Sequence, residues 1–146
     1  MSTAVHAPAF DRAAVVGAGA WGTTFATLLV RTGIPTLMWA RRAEIAAEIN
    51  VGTNERYLRG VSLPRGLGAT TSLDEALGGA DLVVVAVPSQ LARAVLEPGA
   101  GMVSDDAVAV SLMKGIELGT GLRMSQMVGE VLAIGPERLA VVSGPN

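Results

Sequence analysis

Ala13-Ala14-Val15-Val16-Gly17-Ala18-Gly19-Ala20-Trp21-Gly22 is the stretch on which the fold turns. Its first four residues are small and apolar and predict a short buried strand. The spacing Gly17-x-Gly19-x-x-Gly22 then predicts a tight bend into a helix. Residues 21–32 carry apolar side chains at helical intervals, with Gly33 as a stop. In such a bend each glycine has its own task. The first makes the turn, the second lets an anion approach the backbone, and the third lets the helix lie close to the strand. The free amide hydrogens at the helix start, backed by the helix dipole, then face a phosphate. In a chain with 18 glycines the spacing alone is weak and fits a turn that binds nothing. The apolar strand before it, the helix after it and a second strand at the right distance make it a dinucleotide motif.

Outward from that motif the pattern alternates. Residues 36–39 predict a strand, 43–50 a helix, 52–66 a loop, and 67–71 a weak strand. Ser72 is placed as an N-cap, with Glu75 three residues on completing a capping box. Residues 82–87 form the clearest strand; Pro88 ends it, and Ser89 is expected to cap a helix running to Glu97. A strand over 107–112, a helix over 124–133 and a strand over 139–143 follow. Strands alternating with helices through short connections predict an α/β fold, a Rossmann-type doubly wound, mainly parallel sheet. Residues 1–12 are expected to be a tail and 13–146 one nucleotide-binding domain. The chain stops at the mouth of its last strand with no capping helix after it, which reads as a cut and not a natural end.

Composition narrows the chemistry. Half of the 146 residues are hydrophobic and 3% aromatic, so the core is built from Ala, Val, Leu and Ile. This suits strands buried on both faces. A net charge of −2 gives no field to attract nucleic acid or an anionic membrane. There is no Cys, and the single His, His6, lies in the expected tail. Thiolate chemistry and clustered His or Cys metal sites are thereby excluded. Residues 13–30 are uncharged, but Gly17, Gly19, Gly22, Thr23 and Thr24 break them into strand, turn and helix and not a membrane span. Asp11 and Arg12 stand where the apolar part of a secretory signal would run, so a cytoplasmic location is expected.

Two features point to the cofactor and the substrate. The second strand ends Trp39-Ala40-Arg41-Arg42, where an NAD site usually offers a carboxylate to the ribose; the nearest here is Glu44. Paired guanidinium groups suit a ribose 2′-phosphate, so NADP(H) is favoured, with NAD(H) still open. Lys114 is the only lysine beside ten arginines, and it follows a predicted strand on the edge where such sheets bind ligands. The alternatives are a solvated Arg pair and a surface Lys paired with Glu117.

Six pieces in order carry a resemblance: the run from Gly17 to Thr24, the run from Leu37 to Arg42, Asn54-Glu55-Arg56-Tyr57-Leu58 with Gly60 and Leu63-Pro64, Val87-Pro88-Ser89-Gln90, Lys114-Gly115-Ile116-Glu117 and Ser143-Gly144-Pro145-Asn146. Together the chain resembles the N-terminal cofactor-binding domain of bacterial NAD(P)-dependent glycerol-3-phosphate dehydrogenase. That resemblance implies reduction of dihydroxyacetone phosphate to sn-glycerol 3-phosphate for phospholipid synthesis. It implies cofactor contacts at Gly17, Gly19, Ala20, Trp21, Gly22, Arg41, Arg42 and Lys114, and substrate contacts at Lys114, Gly144 and Asn146. Ala20 and Asn146 depart from the family, where Ser is common at both positions. The general acid–base lysine would lie in the helical second domain, so this chain alone is expected to bind nucleotide without turnover. No nucleic-acid partner, membrane span or metal is implied, and the complete chain is open to a homodimer. Two other readings stay open: a dehydrogenase for another keto or hydroxy acid, and a regulatory nucleotide-sensing module.

Overall fold

A computed structural model describes residues 9–143. Six strands form one sheet: β1 (Ala13–Val16), β2 (Thr36–Trp39), β3 (Leu67–Thr70), β4 (Leu82–Val85), β5 (Val108–Ser111) and β6 (Leu139–Val141). Five helices connect them: α1 (Ala20–Arg31), α2 (Ala43–Asn50), α3 (Leu73–Leu77), α4 (Ala92–Leu96) and α5 (Met124–Leu132). The strand order is β3-β2-β1-β4-β5-β6, and every adjacent pair is parallel. This is the doubly wound Rossmann arrangement that the alternation predicts.

The period-two alternation of a strand sorts the core into two layers. Ala13 and Val15 of β1, with Leu82 and Val84 of β4, face the layer that includes Ala26 of α1 and Ile45 and Ile49 of α2. Ala14 and Val16, with Val83 and Val85, face the other, with Leu77, Leu96, Met127 and Val128. All four residues of β1 and of β4 are buried, as they must be when helices cover both faces. The edge strand β3 is protected. The Asn50 side-chain amide donates to the Ala69 carbonyl at 2.9 Å, and its oxygen accepts from the Ala69 N–H at 2.8 Å.

Several local expectations need correction. The strand expected over 82–87 ends at Val85, because after Ala86 donates to the Val16 carbonyl the chain must bend around the glycine turn. The strands expected over 107–112 and 139–143 are likewise shorter, at Val108–Ser111 and Leu139–Val141. The helix expected from Ser89 breaks into a 3₁₀ turn (Ser89–Leu91), α4 and a second 3₁₀ turn (Glu97–Gly99) containing Pro98. Ser89 does not cap it; its hydroxyl donates to the Lys114 carbonyl at 2.7 Å. The capping box at α3 is half formed. Ser72 Oγ accepts from the Glu75 N–H, but the Glu75 carboxylate accepts from Thr70 Oγ1, which in turn accepts from the Ser72 N–H. Asp11 and Arg12, at the end of the expected tail, donate backbone N–H bonds to the Asp81 carboxylate. Burial works to raise the Asp81 pKa, but those two bonds and its own backbone N–H outweigh it and hold the carboxyl below its ordinary value.

Candidate dinucleotide-binding site

The strand order reverses at β1: β2 and β3 lie on one side, β4 to β6 on the other. A crevice opens at such a switch point beyond the strands' carboxyl ends. Here it is a cavity of about 570 Å³, floored by Gly17 to Gly22 and walled by Trp39 to Arg42 on one side and Ala86 to Pro88 on the other. Arg56 and Tyr57 close it from the loop after α2.

The three glycines divide their tasks as the spacing predicts. Gly17 has φ +117°, a conformation L side chains avoid, and a β-carbon there would stand 2.3 Å from the Ala86 carbonyl oxygen. A β-carbon on Gly22 would stand 2.3 Å from the Gly17 carbonyl oxygen, so only a glycine lets α1 approach the turn. A β-carbon on Gly19 would meet nothing within 4 Å. Its backbone is ordinary, at φ −72° and ψ −177°, so neither fold nor strain requires a glycine there. What remains is open space beside a helix N-terminus, which a linked pair of phosphates fits.

Arg41 and Arg42 both line the cavity, and Arg56 makes a third guanidinium; among the described residues no Asp or Glu lines it. Arg42 Nε is engaged by Glu44 at 2.7 Å, so an incoming phosphate competes with a carboxylate for that group. Arg56 lies over the Tyr57 ring, 5.7 Å from its centroid. Ala20 and Trp21 line the cavity, and Trp21 packs edge-on against Phe25. Ala20 offers no hydroxyl to an anion there.

Lys114 sits apart from this cavity. It is exposed in the loop after β5 and lines a smaller hollow of about 280 Å³ with Arg123, Ser125, Val141 and Ser143. The sequence pieces 87–90 and 114–117 meet here. Besides Ser89, Gln90 Nε2 donates to the Ile116 carbonyl at 2.9 Å, and Gln90 Oε1 accepts from the Leu118 N–H at 3.0 Å. The turn that borders the larger cavity thus holds the Lys114 loop by its backbone. Gly144 and Asn146, the other expected substrate contacts, and His6 lie outside the described residues.

Glu117 is held by Arg93 and Thr120. Its carboxylate accepts from Arg93 Nε at 2.8 Å, from Arg93 Nη2 at 3.0 Å and from the Thr120 hydroxyl at 2.5 Å. Arg93 also reaches Glu130 of α5 at 2.9 Å, so one guanidinium ties α4, the Lys114 loop and α5 together. The Arg93 bonds and then the Thr120 hydroxyl hold the Glu117 carboxyl down to about 2, against burial and from an ordinary 4.5. A depressed carboxyl stabilises fully above its unfolded pKa and stops doing so as pH falls through the folded value. The stability gap between wild type and Glu117→Gln is therefore expected to be constant above about 4.5 and to close toward about 2. Urea melts at a series of pH values measure it; a gap independent of pH would show that the pair does not stabilise the fold.

Sequence reasoning named the glycine loop and the arginine pair directly. It passed over Asn54, Arg56 and Tyr57 except as part of a resemblance, because a loop without period gives no burial pattern to read.

The comparisons agree with this geometry. Residues 12–146 match the family model described as the N-terminus of NAD-dependent glycerol-3-phosphate dehydrogenase. The chain belongs to that family. It is 50% identical over 133 residues to the glycerol-3-phosphate dehydrogenase (NAD(P)+) of Leifsonia xyli subsp. xyli, covering 90% of this chain and 36% of the relative. Against the enzyme of the same name from Streptomyces coelicolor it is 49% identical over 136 residues, covering 92% and 40%. The crystal structure of glycerol-3-phosphate dehydrogenase from Coxiella burnetii superposes with a TM-score of 0.82 at 29% identity, over 92% of this chain and 41% of that one. The chain thus spans about two-fifths of the length of the curated relatives it matches. Among the described residues no helix is long and apolar enough to cross a membrane, and no group of three His, Cys, Asp or Glu is placed to hold a metal.

Proposed function

We propose that the whole protein reduces dihydroxyacetone phosphate to sn-glycerol 3-phosphate in the cytoplasm, and that this chain holds the nicotinamide dinucleotide, NADP(H) in preference to NAD(H). The observation that carries the reading is Gly19: a glycine with room for a side chain, in the one place where a linked diphosphate needs the backbone bare. Family membership supports the reaction, and the relatives' printed names include NAD(P)+.

When bound, the dinucleotide supplies the hydride. The chain's own residues bind and orient. The backbone N–H groups of the Gly17 to Gly22 turn take the diphosphate, and Trp21 offers an aromatic face beside it. Arg41 and Arg42 take the 2′-phosphate through charge-assisted bonds. The Lys114 ammonium is a compact donor suited to the substrate oxygen, where negative charge grows as the ketone is reduced. Its loop is held by Ser89 and Gln90 on one side and by the Arg93–Glu117 pair on the other, so the donor is placed before substrate arrives. Gly144 and Asn146 would complete the substrate's surroundings. The proton for the new hydroxyl comes, on the family resemblance, from a lysine outside this chain.

The test is turnover by the whole protein with NADPH across a panel of ketones. Dihydroxyacetone phosphate is expected to be the preferred substrate, and Lys114→Met to lower kcat by about 100-fold, the scale for losing one donor to a developing oxyanion. Preference for another keto acid would reassign the substrate. Dinucleotide binding with no turnover of any ketone would turn the reading into a sensing module.

A further inference from the structure

Asn54 is fully buried in a loop of polar and glycine-rich sequence. Its side-chain nitrogen donates to the Ala18 carbonyl at 3.0 Å and to Thr23 Oγ1 at 2.9 Å. Thr23 Oγ1 donates to the same Ala18 carbonyl at 3.3 Å, closing a three-membered ring of bonds. The amide orientation is forced, since a carbonyl can only accept. That leaves Asn54 Oδ1 buried with no partner among the described residues. An orphaned buried acceptor is costly, and Leu has the same branching without one. The donor end of the amide must therefore do something a space-filling residue could not.

What it does follows from peptide geometry. There are no cis peptide bonds among the described residues, and across a trans peptide the C=O and the next N–H point in opposite directions. Two donors draw the Ala18 carbonyl inward toward Asn54. The Gly19 N–H, on the same peptide, is thereby turned away from Asn54. Among the described residues that N–H forms no backbone bond. The main chain of Asn54 serves the other wall of the same cavity. Its carbonyl accepts from the Tyr57 N–H at 3.2 Å and the Leu58 N–H at 2.7 Å, making the turn that carries Arg56 and Tyr57 to the cavity.

We propose that Asn54 is a positioning residue for the phosphate cradle: it sets the plane of the Ala18–Gly19 peptide so that the Gly19 N–H meets the diphosphate, and it couples that peptide to the turn bearing Arg56 and Tyr57. The inference rests on the dinucleotide reading of the cavity, and its test separates the two. The probe is NADPH or NADH, whichever wild type binds more tightly, titrated calorimetrically into the chain, Asn54→Leu, Gly19→Ala and the double variant. Asn54→Leu is expected to lose about tenfold in affinity, the scale of one charge-assisted bond. The double variant is expected to bind no worse than Gly19→Ala, because both changes disable the same amide. The Gly19 amide resonance of unliganded Asn54→Leu should also be displaced from its wild-type position. Unchanged affinity in Asn54→Leu, or losses that simply add in the double variant, would overturn the proposal while leaving the site standing. A wild type that binds neither nucleotide would overturn both. Should Leu prevent folding, Asn54→Asp keeps the shape, replaces the donor with an acceptor, and is read by the same two criteria.

Discussion

Gly22→Ala is expected to cost about 3 kcal/mol of stability or more, whereas Gly19→Ala, three residues away, should cost less than about 1 kcal/mol and instead weaken dinucleotide binding by about 10- to 100-fold. The difference lies in what each missing side chain would meet. At Gly22 a β-carbon collides with the Gly17 carbonyl oxygen at 2.3 Å, and that oxygen is backbone in a turn already bent to φ +117°. Neither partner is a flexible side chain that can swing away, so α1 has to lift off β1. Gly17→Ala should do similar damage, through its positive φ and its approach to the Ala86 carbonyl. At Gly19 the β-carbon has room and the dihedrals suit any residue. It would nevertheless stand where the diphosphate has to approach. Each charged hydrogen bond lost there is worth about 1.5–3 kcal/mol, about 10- to 100-fold in affinity. Thermal melts give the first quantity and calorimetric titration the second. Equal stability losses at both glycines, or full affinity in Gly19→Ala, would show that the turn is only a packing device.

Replacing Arg41 and Arg42 together by Ala should weaken NADPH by about 10-fold or more per lost charged bond and leave NADH nearly unchanged. The arginines line a cavity that, among the described residues, no carboxylate lines, so the group that usually takes the 2′-hydroxyl of NADH is not part of that lining. Arg42 already holds Glu44, and its share of the loss is offset by the pair it gives up. Exposed pairs of that kind contribute little, so the offset is small. Side-by-side titration of both nucleotides decides the matter; equal losses for NADPH and NADH would assign the guanidinium groups to general phosphate attraction.

The fold was legible where one physical rule governs a whole segment. Residues 13–16 and 82–85 are apolar at every position because helices cover both faces of the sheet, and that burial leaves its mark directly on the residue types. The glycine turn was legible because φ +117° and a 2.3 Å approach leave no other residue possible. Ser89 misled, and Gln90 went unread, because their use is tertiary. Their side chains serve the backbone at Lys114, Ile116 and Leu118, more than twenty residues away, and a capping rule looks only at the next turn. Asn54 was invisible for the same reason. A polar residue in an aperiodic loop reads as exposed, and only its pairing with Ala18 and Thr23 across more than thirty residues shows why it is buried. That Lys114 lines a hollow with Arg123, Ser125, Val141 and Ser143 is likewise a matter of where the loop after β5 leaves the sheet, which strand patterns do not encode.

The central claim is that backbone amides of the turn after β1 grip a dinucleotide's diphosphate. The most direct measurement is a series of amide nitrogen–proton spectra of the chain as NADPH is added. The account predicts that the largest displacements fall on the amides of Gly19, Ala20, Trp21 and Gly22 and on the Arg41 and Arg42 segment. Displacements confined to other parts of the chain, or none at saturating nucleotide, would contradict it.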